Sequence, residues 1–178
     1  LPEGSVTVLE GHCRAYDQHI PYGPISDLLR HQCGLSATAP PDVVTTRVAQ
    51  LLRVVGLSPE DSAPYLLQLL GSPTTSEFLA QCTPDVIKER TFATLRHVHV
   101  HSSQQHPLLL IVENLHWLDP TSEAYLASLV EHLAGSPLLL VTTYRPGYHP
   151  SWLGKSYATQ LTLPPLTQEE SRTLVGAF

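Results

Sequence analysis

Two apolar runs in the second half of the chain stand out against everything before them. Leu108 to Val112 follows Pro107, and Leu138 to Val141 follows Pro137, with no polar residue inside either run. A strand apolar at every position, rather than at alternate ones, suits a parallel sheet covered by helices on both faces. Between the runs, Leu126, Leu129, Val130 and Leu133 form one helical stripe. Asp119 is placed to cap that helix, and Pro120 fits its first position. Strand, helix, strand predicts a βαβ unit with a right-handed crossover. Its strands, 108–112 and 138–143, should be parallel and adjacent or nearly so, with helix 121–134 on one face.

The first half is mostly helical in pattern. Residues 5–9 (SVTVL) predict a short strand that ends at Glu10-Gly11. A loop containing Pro21-Tyr22-Gly23-Pro24 leads to a helix over Ile25–Gln32, closed near Gly34. Residues 36–41 (SATAPP) form a linker, and from Asp42 to about His99 the periodicity is helical throughout. Val44, Val48, Leu51, Leu52 and Val55 mark one buried face. Gly56 stops that helix, Ser58-Pro59-Glu60 starts the next, and Thr83-Pro84-Asp85 starts another. Beyond the second apolar run, Ala158–Leu163 predicts a further short strand, and Thr167-Gln168-Glu169-Glu170 opens a last helix. No repeat at a solenoid period is present.

Composition narrows the function classes. With 178 residues, 42% hydrophobic and a mean hydropathy of -0.01, the chain reads as one globular domain. Charged residues make up 15%, below the ~25% usual for such domains, which predicts a surface partly covered by neighbouring chain. The first residue is Leu1 and the last ones run into an apolar helix-like stretch, so a segment of a larger protein is expected. A net charge of -6 without any basic cluster argues against sequence-independent nucleic-acid binding. No apolar run approaches the ~20 residues that span a bilayer. Cys13, Cys33 and Cys82 lack metal-type spacing and predict no disulfide framework, so a reducing, cytoplasmic setting is expected.

Chemistry concentrates in LLLIVENLHWLDPTS (108–122). An apolar strand running into Glu113 delivers a carboxylate to the strand's C-terminal end, the edge at which open α/β sheets bind ligands. Held there, the acid can orient the water shell of a phosphate-bound Mg²⁺; a strand-end acid that merely makes a turn is the plainer alternative. Gly154-Lys155-Ser156 looks like part of a phosphate loop but is not one. The required first glycine falls at His149, and Trp152 and Leu153 prevent a backbone wrap. His97, His99 and His101 invite a metal reading, yet on a helix alternate residues diverge by ~200°. No nucleophile elbow or Ser/Cys-His-Asp arrangement is visible.

The same segment resembles the Walker B region of the STAND class of AAA-type P-loop ATPases, in which the strand runs into an acidic pair and then Leu-His-Trp-Ala-Asp-Pro. Here that stretch is Glu113, Asn114, Leu115, His116, Trp117, Leu118, Asp119, Pro120. TVLEGHCRAYDQHIPYGPISDLLR (7–30) is similar to the stretch after the Walker A helix in that class, and KERTFATLRHV (88–98) to the helix before Walker B. LVTTYRPGY (140–148) is similar to the sensor strand and loop, and LTLPPLTQEESRTLV (161–175) to the entry into the helical lid. The subgroup is the one found beside class III adenylyl cyclase or protein kinase domains in large bacterial proteins.

The resemblance implies an incomplete P-loop NTPase domain: an α/β fold whose parallel sheet is flanked by helices. Residues 1–165 would be a partial ATPase core with a helical insert at 42–100, and 166–178 the start of the lid. It implies ATP and Mg²⁺ as ligands. Glu113 would serve the metal, Glu113, Thr143 and Arg145 the nucleotide, and Glu113, Asn114 and Arg145 the hydrolysis of the β–γ phosphoanhydride. It also implies effector domains of the same polypeptide as partners, with self-association open. Two departures stand out. No G-x-x-x-x-G-K-[ST] occurs; in this class it would precede residue 1, so the chain alone is expected to be inactive. Asn114 stands where the class usually has an acid, and an amide orients water but does not accept its proton. Tyr144 also separates Thr142-Thr143 from Arg145, where the class often has Thr-Thr-Arg. Asn114 keeps a rival reading alive, a non-hydrolysing module whose helical insert binds a protein partner.

Overall fold

The computed structural model describes residues 6–72 and 79–176. Ser5 of the first expected strand, and residues 73–78 and 177–178 of the expected helical stretches, lie outside the described residues. The chain divides into two compact units, Leu1–Tyr148 and His149–Phe178.

The first unit is built on a three-stranded parallel sheet of order β1-β2-β3, with β1 at Thr7–His12, β2 at Leu108–Glu113 and β3 at Leu138–Thr142. The two apolar runs are therefore adjacent parallel strands in one sheet, as their pattern predicts. The register aligns Leu9 with Leu110 and Leu110 with Leu140, so residues of one parity line up across all three strands. β1 continues to His12 instead of ending at Glu10-Gly11. Gly11 serves a close approach rather than the strand's end: a Cβ at this position would lie 2.5 Å from the Pro24 carbonyl oxygen. Helix α1 (Gly23–Gln32) packs against β1 and begins two residues earlier than its apolar pattern suggests, after Tyr22 in a left-handed conformation.

After α1 come α2 (Pro41–Val54) and α3 (Pro59–Leu69), which pack on each other, and then α4 (Pro84–Gln105). Val44, Val48, Leu52 and Val55 are buried as predicted, whereas Leu51 is half-buried. Ser58 and Thr83 cap α3 and α4 by accepting from the Asp61 and Val86 amides. α4 runs six residues past His99 and packs on β2, β3 and α5 (Pro120–Val130). α5 stops at Val130, short of the expected 134, because His132, Leu133 and Ser136 turn back onto the Leu129, Val130 and Leu133 carbonyls towards Gly135 at φ +83°.

Burial differs between the two sheet faces. Leu9, Leu108, Leu110, Val112 and Leu138 are buried, whereas Val8, Leu139 and Val141 are exposed and Leu109 and Ile111 half-buried. The patterns of β2 and β3 predict cover on both faces; among the described residues only one has it. Strand order and chain order coincide here, so successive right-handed crossovers place their helices on the same side.

In the second unit, 158–163 is not a strand. Leu161 and Leu163 are 83% and 88% exposed, and no described strand of this unit offers them a ladder. The last helix, α6 (Gln168–Gly176), opens as expected with a capping box: the Glu170 amide donates to Thr167 Oγ1 at 3.2 Å, and the Thr167 amide to Glu170 Oε2 at 2.7 Å. No helix among the described residues is long and apolar enough to cross a membrane.

Candidate functional site

The C-terminal ends of β1, β2 and β3 converge on one edge, and the side chains singled out by sequence meet there. Glu113 is the last residue of β2, with its side chain 46% exposed. Asn114 follows at φ 62°, ψ 45°. This left-handed conformation strains most side chains but suits Asn, so the backbone itself accounts for the residue type. The chain then closes a 3₁₀ turn over Leu115–Trp117, and Asp119 caps α5.

Thr143 fastens the end of β3 to this turn. Its amide donates to the Val112 carbonyl at 3.1 Å, its hydroxyl accepts from the Asn114 amide at 3.1 Å, and its carbonyl accepts from Leu115 at 2.9 Å. Glu113 and Asn114 are thus held between two strands, which is the preorganisation a carboxylate needs to act on a ligand. Arg145 lies further on. Its guanidinium stands 5.4 Å from the Trp117 ring centre, in cation–π range. The His116 ring also lies against Trp117, with 4.5 Å between ring centres. Both His116 ring nitrogens are shielded and lack a hydrogen-bond partner; desolvation and the nearby Arg145 charge lower its pKa.

Asp119 is the buried anchor of the site, 3% exposed. Its Oδ1 accepts from Thr121 and Ser122 at 3.0 and 2.9 Å, and from Tyr22 at 3.3 Å, tying α5 to the loop before α1. Burial and the Asp119 charge push both Cys13 and Tyr22 up to about 12, so neither ionises at neutral pH. Cys13 therefore supplies packing, not a thiolate.

Sequence reasoning missed His12. The register sets it beside Glu113, and its Nε2 lies 3.6 Å from Glu113 Oε2. Half-exposed on both sides, that contact contributes little to stability. Its signal lay in the strand length: only a β1 that reaches His12 brings it to the site edge. His12, Cys13, Arg14, Tyr16, Asn114 and Trp117 help line an open cleft of about 460 Å³.

The donor set fits a hydrated Mg²⁺. One carboxylate and an adjacent amide suffice for an ion that keeps most of its waters and takes substrate phosphates as further ligands. No cluster of three or more His, Cys, Asp or Glu suited to an all-protein metal cage occurs among the described residues. The HVHVH histidines diverge as the helix requires: His99 is buried and hydrogen-bonds Tyr125 at 2.6 Å, while His97 and His101 stack elsewhere, 3.7 Å apart.

Residues 1–141 match the family model for the AAA ATPase domain. The chain is also 35% identical over 117 residues to an uncharacterized protein of Rhizobium meliloti (strain 1021); the match covers 66% of this chain and 11% of that relative's length. No solved structure matches significantly.

Proposed function

The chain belongs to the AAA ATPase domain family, and from that premise we propose that it forms the Walker B and sensor half of an ATP-binding, Mg²⁺-dependent switch in a signalling or regulatory protein of several domains. The observation that carries this reading is Glu113 at the end of the central parallel strand, braced through Asn114 and Thr143 to the strand beside it. When bound, Mg²⁺ supplies charge neutralisation on the phosphates. Glu113 holds its water shell, Thr143 fixes the turn that aims Glu113, and Arg145 offers planar donors to a γ-phosphate. This reading requires a phosphate loop supplied in addition to these residues, which contain no G-x-x-x-x-G-K-[ST]. Among the described residues, one sheet face is uncovered and β3 has no further strand beside it, which leaves room for the strand and helix that carry such a loop.

The test is Glu113→Gln in the complete protein. ATP hydrolysis should fall at least ~10²-fold, as on removal of one preorganised electrostatic contact. The thermal midpoint should hold, because the change is nearly isosteric at a half-exposed side chain. Wild-type turnover with unchanged Mg²⁺ dependence would end the hypothesis.

Asn114 favours a second reading, a non-hydrolysing interaction module. The two part company on Asn114→Asp, which the left-handed backbone also accommodates. The switch reading expects turnover to rise if proton acceptance limits it; the module reading expects none in either form.

A further inference from the structure

Arg145 is held more firmly than an exposed strand-end arginine needs to be. Two residues before it, Thr143 is clamped to β2 and the Walker B turn by its three hydrogen bonds. Directly after it, Arg145-Pro146-Gly147-Tyr148 folds as a tight turn, with the Tyr148 amide donating to the Arg145 carbonyl at 3.3 Å and Gly147 at φ +97°. Pro second and a positive-φ Gly third is the signature of a type II turn. The far end of the turn is anchored in its own right: the Tyr148 hydroxyl donates to Glu123 Oε1 in the first turn of α5, at 3.1 Å. Tyr148 also packs against Tyr144, their ring centres 5.7 Å apart. α5 in turn is fixed to the site through Asp119.

The guanidinium has its own support. Its Cζ lies over the Trp117 ring, 5.4 Å from the ring centre and in cation–π range, and a guanidinium presents planar donors suited to a two-pronged contact to a phosphate. Trp117 is itself locked by the 3₁₀ turn, its amide donating to the Asn114 carbonyl at 2.9 Å. Arg145 is therefore fixed by a backbone anchor at α5 and a side-chain platform at the Walker B turn.

We infer that Tyr148 and Glu123 act as a latch, and Trp117 as a platform, that together position Arg145 to distinguish a nucleoside triphosphate from a diphosphate. The inference rests on the switch reading above. The latch sets the backbone from which the guanidinium extends, and α5 starts at the Walker B turn, so any movement of α5 relative to β3 is felt at Arg145. Tyr148 and Glu123 touch no nucleotide; they act through Arg145.

Equilibrium binding of ATP and ADP to the complete protein tests this. Arg145→Ala should reduce the ATP/ADP affinity ratio, with ADP affinity nearly unchanged. Tyr148→Phe removes only the hydroxyl and should lower the same ratio roughly tenfold, the worth of a hydrogen bond to a charged acceptor. Glu123→Gln keeps an acceptor and should lower it less. The double variant should fall short of the sum, because both changes break one contact. A second readout needs no nucleotide. The sequence contains two tryptophans, so with Trp152→Phe as background, emission reports Trp117, and Tyr148→Phe should shift it in the direction Arg145→Ala does. If Arg145→Ala leaves the ratio intact, the switch reading fails. If Arg145→Ala changes ratio and emission but Tyr148→Phe changes neither, the latch alone is wrong. Should Tyr148→Phe fail to fold, Glu123→Gln decides on the same two readouts.

Discussion

The two faces of the sheet both carry aliphatic side chains and live in different surroundings. Leu110 and Leu139 are both leucines in neighbouring strands, yet Leu110 is fully buried and Leu139 is 62% exposed. The difference comes from topology. Both crossovers advance the sheet in one direction, so α1, α4 and α5 gather on the face carrying Leu9, Leu110 and Val112. The opposite face keeps an apolar surface made for cover that the described residues do not supply. Glu113, with Leu109 and Ile111, belongs to that second row, which leaves its carboxylate half-exposed.

The comparison breaks most sharply at Leu110. Leu110→Ala should cost ~3–5 kcal/mol in urea denaturation, from lost burial plus the cavity left behind. A loss under ~1 kcal/mol would mean the covered face is not packed as described.

Acid should separate the faces next. His99 is buried between α4 and α5, and burial lowers its pKa from 6.5 to about 4. The unfolded chain therefore takes up the proton first: stability is intact above the unfolded value and declines as pH falls from 6.5 towards 4. The full loss is about 3 kcal/mol as an upper limit. His99→Gln should remove most of that slope while keeping a partner for Tyr125; a pH dependence unchanged by the substitution would show that His99 already ionises in the fold. The smallest effect belongs to the bare face, where Leu139→Ala should shift stability by less than ~0.5 kcal/mol. A large loss there would reveal cover on that side.

Much of this was legible in sequence because its signals are local. Pro and Ser or Thr at helix starts declared α3, α4 and α6, since a cap needs only its own next three residues. Two uninterrupted apolar runs, each behind a proline, declared β2 and β3. Glu113 was visible because the end of an apolar run is also the end of a strand. Local signals misled where a residue served a distant neighbour. Gly11 read as the end of a strand but lies within β1 and makes space for the Pro24 carbonyl. Residues 158–163 had strand-like composition without a ladder to join. Asn114 read as a lost acid, and its left-handed backbone gives it a second reason to be there.

By itself, then, the sequence determined the helices with clear start signals, the parallel pairing of the two apolar runs and the carboxylate at the end of one of them. These come from periodicity, capping and chain direction, all properties of contiguous residues. Only the tertiary structure decided that His12 stands beside Glu113, that Arg145 lies on Trp117 and that Tyr148 reaches Glu123. Those pairs are separated by many residues and come from different elements. Their meeting depends on strand register and on which face each crossover takes, and no stretch of contiguous residues encodes either.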